Sequence, residues 1–285
     1  MGYDAWNDPP SRTPVSRGPR RLVSVERPGV RIAVLGGFGV WVGGEPVAVP
    51  GGSERVLAFV ALRCRAAVPR HLIAGTLWPE ASEHRAHADL RAALARSQAG
   101  RTALEITAAE VCLAPGTTVD LHRARRTAQC LLDPAGPHRL PEAPLDAVRV
   151  LSTDLLPGWY EDWALSEAEE WRQLRLHALE TLAARLGAAR RCAEAVTAAQ
   201  AAVHAEPLRE SAQTCLVRAH LADGNPSEAL NAFTRYARRL HEELGLEPTE
   251  RLHRLAAGDA RPARAPSASR SRGGHAEVTR RREEW

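Results

Sequence analysis

Residues 77–96 place His84, Arg85, Ala88, Arg91, Ala92 and Ala95 on one side of a helical repeat, with Arg96 at its edge. An arginine ends in a planar fork of N–H donors that matches the O6 and N7 acceptors of guanine, and its fixed charge also suits phosphate. The alanines keep this side low, so a helix carrying it can approach a grooved anionic surface closely. On the opposite side Ala86, Leu90, Ala93, Leu94 and Ser97 recur at helical spacing as the face to be buried. Ser82 stands at the N-cap, its hydroxyl expected to accept from an otherwise unpaired backbone N–H, and Pro79 closes the preceding run.

Other chemistries find less support. His84 and His87 share a helix with no carboxylate or cysteine at metal-ligand spacing, and His71 lies one helix earlier, so no metal site is expected. Glu169-Glu170 and Glu242-Glu243 are adjacent on helices and point in different directions, which does not make an acid/base pair. Gly36-Gly37-Phe38-Gly39 reads as a bend at a strand edge, since no helix follows in the register that a dinucleotide fingerprint needs. No catalytic residue, cofactor or enzymatic activity is expected. The cysteines, Cys64, Cys112, Cys130, Cys192 and Cys215, are odd in number and widely spaced, the pattern of reduced core residues.

At 285 residues, 44% hydrophobic and 25% charged, the chain has the composition of a globular protein with room for two cores. All 38 basic residues are arginine, a bias that weakens any argument from arginine alone. The net charge of +4 is unevenly spread: residues 53–101 hold eight arginines against Glu54, Glu80, Glu83 and Asp89. Residues 1–30 and 258–285 are rich in Arg, Pro, Ser and Gly and are expected to be flexible tails. The first thirty residues have no apolar signal core and no long apolar span occurs, so a cytoplasmic protein with no membrane partner is expected.

The arginine-faced helix needs elements to hold it. Ile32, Val34, Val40 and Val42 read as strands, with Gly43-Gly44 as a hairpin turn and 46–49 returning. Residues 53–65 follow as a helix with Val56, Leu57, Val60, Ala61 and Cys64 on one stripe, and 69–78 as a shorter helix that buries Leu72, Ile73 and Leu77. After the third helix, 103–107 and 111–114 make a hairpin around Ala108-Ala109-Glu110, whose tip carries no basic residue. Sheet, three helices and hairpin is the order of a winged helix-turn-helix, over residues 31–119. In such a domain the N-terminal part of the second motif helix meets base edges. Its position therefore assigns His84, Arg85, Ala88 and Arg91 to bases, and Arg55, Arg70 and Arg96 to phosphates.

Residues 120–257 are read as helical, broken by a proline-rich connection at 133–144 and by Leu156-Pro157-Gly158. Two stretches match at an offset of 34 residues: Leu182 with Leu216, Ala195 with Ala229, Ala199 with Phe233, and Ala202 with Tyr236. That is the tetratricopeptide period, with Gly224 at the turn inside the second helix pair and Pro207 ending the first. Trp159, Tyr160, Trp163 and Trp171 are expected in the core, with part of the cluster at a joint to the preceding domain.

Several motifs in this order resemble one family: Val34-Leu35-Gly36-Gly37-Phe38-Gly39-Val40, Leu77-Trp78-Pro79, Leu90-Arg91-Ala92-Ala93-Leu94, Val119-Asp120-Leu121, Leu155-Leu156-Pro157-Gly158-Trp159-Tyr160, Ala205-Glu206-Pro207-Leu208-Arg209-Glu210 and Glu242-Glu243-Leu244-Gly245-Leu246-Glu247-Pro248. Across residues 31–257 the chain resembles the bacterial transcriptional activator domain family, which includes the antibiotic regulatory proteins called SARPs. The resemblance implies an α+β OmpR-like winged helix-turn-helix followed by an all-α tetratricopeptide-like domain. It further implies binding to repeated promoter half-sites as a homo-oligomer on double-stranded DNA, recruitment of RNA polymerase, and activation of transcription. With no G-x-x-x-x-G-K-[ST], the chain is similar to the short form that lacks an ATPase domain. Where the family pattern continues Leu-x-Arg-Leu-Arg, this chain has Leu94-Ala95-Arg96-Ser97-Gln98, which moves the base-reading load to the first half of the helix. An alternative reading is an adaptor, with a degenerate winged helix and a protein-binding tetratricopeptide-type domain.

Overall fold

The computed structural model describes residues 29–63, 66–135 and 140–258. The expected tails at 1–30 and 258–285 fall almost wholly outside the described residues, as does Cys64. The described residues divide into two compact units, one from residues 29–32 and 40–118, the other from 33–39 and 119–258.

The first unit opens with β1 (Val30–Ala33), β2 (Gly39–Val42) and β3 (Glu45–Pro46), which with β7 (Thr118–Val119) form a sheet in the order β3-β2-β1-β7. Gly43 and Gly44, with φ of 62° and 95°, supply the two positive-φ positions that a tight hairpin between β2 and β3 requires. Helix α1 (Gly51–Leu62) follows, and α2 (Arg70–Leu77) and α3 (Glu83–Arg96) pack against it and each other. Its residues from Val56 to Leu62 are all buried, so the expected stripe is an apolar girdle that serves as the unit's core. Leu72 of α2 departs from expectation: it is 48% exposed, because α2 turns Ile73, Ala74 and Leu77 inward instead.

Behind α3, the short helix α4 (Gln98–Ala103) leads into β5 (Leu104–Ile106) and β6 (Glu110–Leu113). This hairpin follows the expected positions. A third strand, β4 (Val68–Pro69), pairs with β6 to give the order β4-β6-β5 and ties the start of α2 to the hairpin.

The second unit contains α5 (Asp120–Leu132), α6 (Pro144–Leu151), α7 (Asp162–Ala188), α8 (Cys192–Ala205), α9 (Glu210–Ala222), α10 (Pro226–Leu244) and α11 (Glu250–Ala256). Each of α7, α8, α9 and α10 packs against the next, the arrangement in which helix pairs bury faces that none covers alone. The 34-residue period reappears in the backbone. The N–H groups of Ala189, Arg190 and Arg191 donate to the carbonyls of Arg185, Gly187 and Leu186; those of Asp223, Gly224 and Asn225 donate to Ala219, Leu221 and His220. Leu182 and Leu216, Ala195 and Ala229, and Ala202 and Tyr236 are all buried.

Residues 33–39, expected in the first domain, group with the helices. The Asp120 carboxylate accepts from the backbone N–H of Val34 and Leu35, and residues 34–36 bond to 154–156 through Gly36 N–H to Asp154 O and Leu156 N–H to Val34 O. Phe38 lies 6.1 Å from Trp159, which meets Trp163 edge-on at 5.7 Å. Trp163 and Trp171 are buried, and the Trp171 indole N–H donates to Thr153 O at 2.9 Å. Tyr160 corrects the expected aromatic core: it follows the Pro157-Gly158 turn and stands 82% exposed. Cys112, Cys192 and Cys215 are half-buried and Cys130 is exposed, so none of the described cysteines is the core residue expected.

Candidate nucleic-acid interface

Helix α3 divides along the line read from its sequence. Ala86, Leu90, Ala93 and Leu94 are buried, as is Ser97 just beyond its end; covering Leu90 completely contributes about 2 kcal/mol. A hydrogen bond that no periodicity announces fixes the depth of α3 against α1. The buried Ser53 hydroxyl donates to Ala93 O at 2.6 Å. Ser82 is the N-cap residue, but its side chain makes no capping bond; its carbonyl receives the first helical N–H, from Ala86 at 2.8 Å. The extended backbone at Ser82 is what ends the turn from α2.

On the outer side His84, Arg85, Arg91, Ala95 and Arg96 are exposed, and Ala88 and Ala92 are half-buried. Arg85 Nε lies 3.4 Å from Asp89 Oδ2. Arg96 Nε donates to Ala92 O at 3.1 Å, which lays its side chain along the last turn. Arg91 is exposed and makes no hydrogen bond or ion pair among the described residues. The structure thus gathers the four residues expected at bases on one helix, with Arg96 one turn on.

Arg55 and Arg70 are placed differently. Arg55 Nη2 donates to Leu77 O at 2.8 Å, satisfying a carbonyl at the C-terminus of α2, and its guanidinium lies 6.0 Å from the Trp78 ring. Arg70 Nη1 donates to Thr107 O at 3.1 Å, and its backbone N–H to Ala109 O at 2.8 Å, which straps the hairpin tip to the start of α2. Thr107 tightens the same tip by accepting from the N–H groups of Ala109 and Glu110. Both arginines have an internal structural task that charge pattern does not reveal.

Among the described residues no group of three or more His, Cys, Asp or Glu is placed to hold a metal ion, and no helix is long and apolar enough to cross a membrane. Three of the four adjacent carboxylates are in surface ion pairs: Glu169 with Arg172 at 2.7 Å, Glu242 with Arg238 at 3.9 Å and Glu243 with Arg239 at 2.5 Å. Hydrogen bonds from Arg172 and Gln173 hold the Glu169 carboxyl down to about 2, the reverse of what a general acid requires.

Fold and site together define an α+β unit that presents an arginine-bearing helix and, later in the sequence, a helical unit. The bacterial transcriptional activator domain matches residues 89–258, more than half of the chain, and the chain belongs to that family. Regulatory protein AfsR of Streptomyces griseus is 28% identical over 267 residues, covering 88% of this chain and 26% of that protein. The chain therefore spans about a quarter of that relative's length. A solved structure, Mycobacterium tuberculosis EmbR in complex with low affinity phosphopeptide, shares the fold with a TM-score of 0.58 and 21% identity, over 81% of this chain and 64% of that one.

Proposed function

We propose that the protein is a sequence-specific DNA-binding transcription regulator and an activator. In this reading the first unit is a winged helix-turn-helix whose α3 enters the major groove, with His84, Arg85, Ala88 and Arg91 facing bases. Two or more copies bind repeated promoter half-sites, and protein surfaces contact RNA polymerase. The observation that carries the reading is the outer side of α3: exposed arginines on a surface kept low by alanines, on a helix whose inner side is buried and fixed by Ser53. Arg96 lies at the helix end, within reach of a backbone phosphate, while Arg55 and Arg70 add positive potential from where they are held.

A second reading draws on those same two arginines. Because Arg55 and Arg70 already bond to carbonyls, the first unit would serve as a degenerate winged helix and the helix stack as the adaptor surface for a protein partner. A gel-shift titration of the full chain on the DNA upstream of its own gene, with excess random duplex as competitor, separates the two. Retention of a discrete complex under competition supports the regulator; loss of all binding at moderate salt supports the adaptor.

A further inference from the structure

The arginine side of α3 contains one carboxylate, and it is not placed at random. Asp89 lies one turn after Arg85, with Arg85 Nε 3.4 Å from Asp89 Oδ2, and neither makes another hydrogen bond or ion pair among the described residues. The Arg85 side chain is 74% exposed and that of Asp89 33%. An exposed pair of this spacing adds only about 0.3–0.5 kcal/mol to a helix, so stability does not account for it. A carboxylate also repels the phosphates that a DNA-binding surface must approach. What the contact can do is orient: the carboxylate engages the Nε edge of the guanidinium, while Nη1 and Nη2 have no partner among the described residues. Arg91 provides an internal comparison, because the positions one turn before and after it are His87 and Ala95, neither of which is a carboxylate.

We propose that Asp89 is a positioning residue that holds Arg85 with its Nη edge outward, ready to donate to O6 and N7 of a guanine in the major groove. This rests on the reading of α3 as the helix that meets bases. Pre-orientation reduces the rotamer freedom that a long exposed side chain loses on docking, and it narrows the set of base edges that side chain can satisfy. Arg85 becomes a selective reader through Asp89, whereas Arg91 keeps its freedom.

The test uses the full chain. Duplexes selected from a randomised pool by the unaltered protein define a base-preference profile, which is then measured for Arg85→Ala, Arg91→Ala, Asp89→Ala and Asp89→Asn. The expected profile contains a guanine whose preference disappears in Arg85→Ala. Asp89→Ala lowers that preference about tenfold, leaves the guanine lost in Arg91→Ala unaffected, and strengthens binding to random duplex. Asp89→Asn, whose amide oxygen still accepts from Nε, retains most of the guanine preference. Full preference in Asp89→Ala overturns the proposal, as does an equal loss at all positions accompanied by a lower melting midpoint. If the unaltered protein discriminates among duplexes and Asp89→Ala matches it, the positioning idea alone falls; if the unaltered protein binds no duplex, the DNA-reading function falls with it.

Discussion

The Asp120 carboxylate accepts the backbone N–H of Val34 at 3.0 Å, across 86 residues of chain. The same carboxylate accepts from Leu35 at 3.2 Å and Leu121 at 2.7 Å. As the first residue of α5 it also faces the positive end of the helix dipole. One side chain thus satisfies three amide donors and starts a helix, and it accounts for residues 33–39 belonging to the helical unit. Asp120→Ala leaves these donors without a protein acceptor and is expected to cost about 2–3 kcal/mol, measured by urea unfolding of the full chain. A loss under about 0.5 kcal/mol would show that the contact is incidental.

The offset of 34 residues places Arg190 where the second helix pair has Gly224, with φ of 62° and 77°. The left-handed conformation suits glycine and strains an arginine, here exposed. Arg190→Gly is expected to raise stability by about 0.5–1 kcal/mol after the added freedom of glycine in the unfolded chain is offset. Gly224→Ala should lower it by about 1 kcal/mol. Paired thermal melts of the two variants check the sign at each turn, and equal destabilisation by both would refute the equivalence.

Burial, and next the Glu180 carboxylate, push the Cys215 thiol up to about 11. At pH 8 roughly a thousandth of it is thiolate, the form that reacts, while Cys130 on α5 is exposed. Iodoacetamide should therefore label Cys130 first, with Cys215 following on unfolding or as the pH approaches its raised value. Mass spectrometry of the labelled peptides reads the order directly; comparable rates at pH 8 would contradict the burial.

Much of this arrangement is legible in the chain because it is periodic. Ala86, Leu90, Ala93 and Leu94 repeat at helical spacing, and Gly224 and Pro207 punctuate the helix pairs, so local pattern alone locates them. The parts that escape are set by partners distant in sequence. Nothing in the text around Val34 announces Asp120, and nothing around Ser53 announces Ala93. Arg55 and Arg70 read as free charge because residue type carries no information about which carbonyl will lie opposite. Leu72 and Tyr160 mislead in the other direction: both have core-forming side chains, yet Leu72 is exposed on a helix that turns Ile73, Ala74 and Leu77 inward, and Tyr160 is exposed on the connection before α7. Equally local is the Arg85–Asp89 contact, whose spacing is visible in the sequence once the helix is known.

Arg91 is exposed on α3 and has no partner among the described residues. The most direct test of its role is the ratio of dissociation constants for a selected duplex and a random duplex, measured from 50 to about 200 mM salt for the unaltered protein and for Arg91→Ala. Removing a base-reading arginine should cost about 1–3 kcal/mol on the selected duplex alone, collapsing the ratio while the slope of affinity against salt changes little. If Arg91→Ala keeps the full ratio, or lowers affinity for both duplexes equally with a shallower salt slope, then α3 does not read bases through Arg91 and the placement of the reading face is wrong.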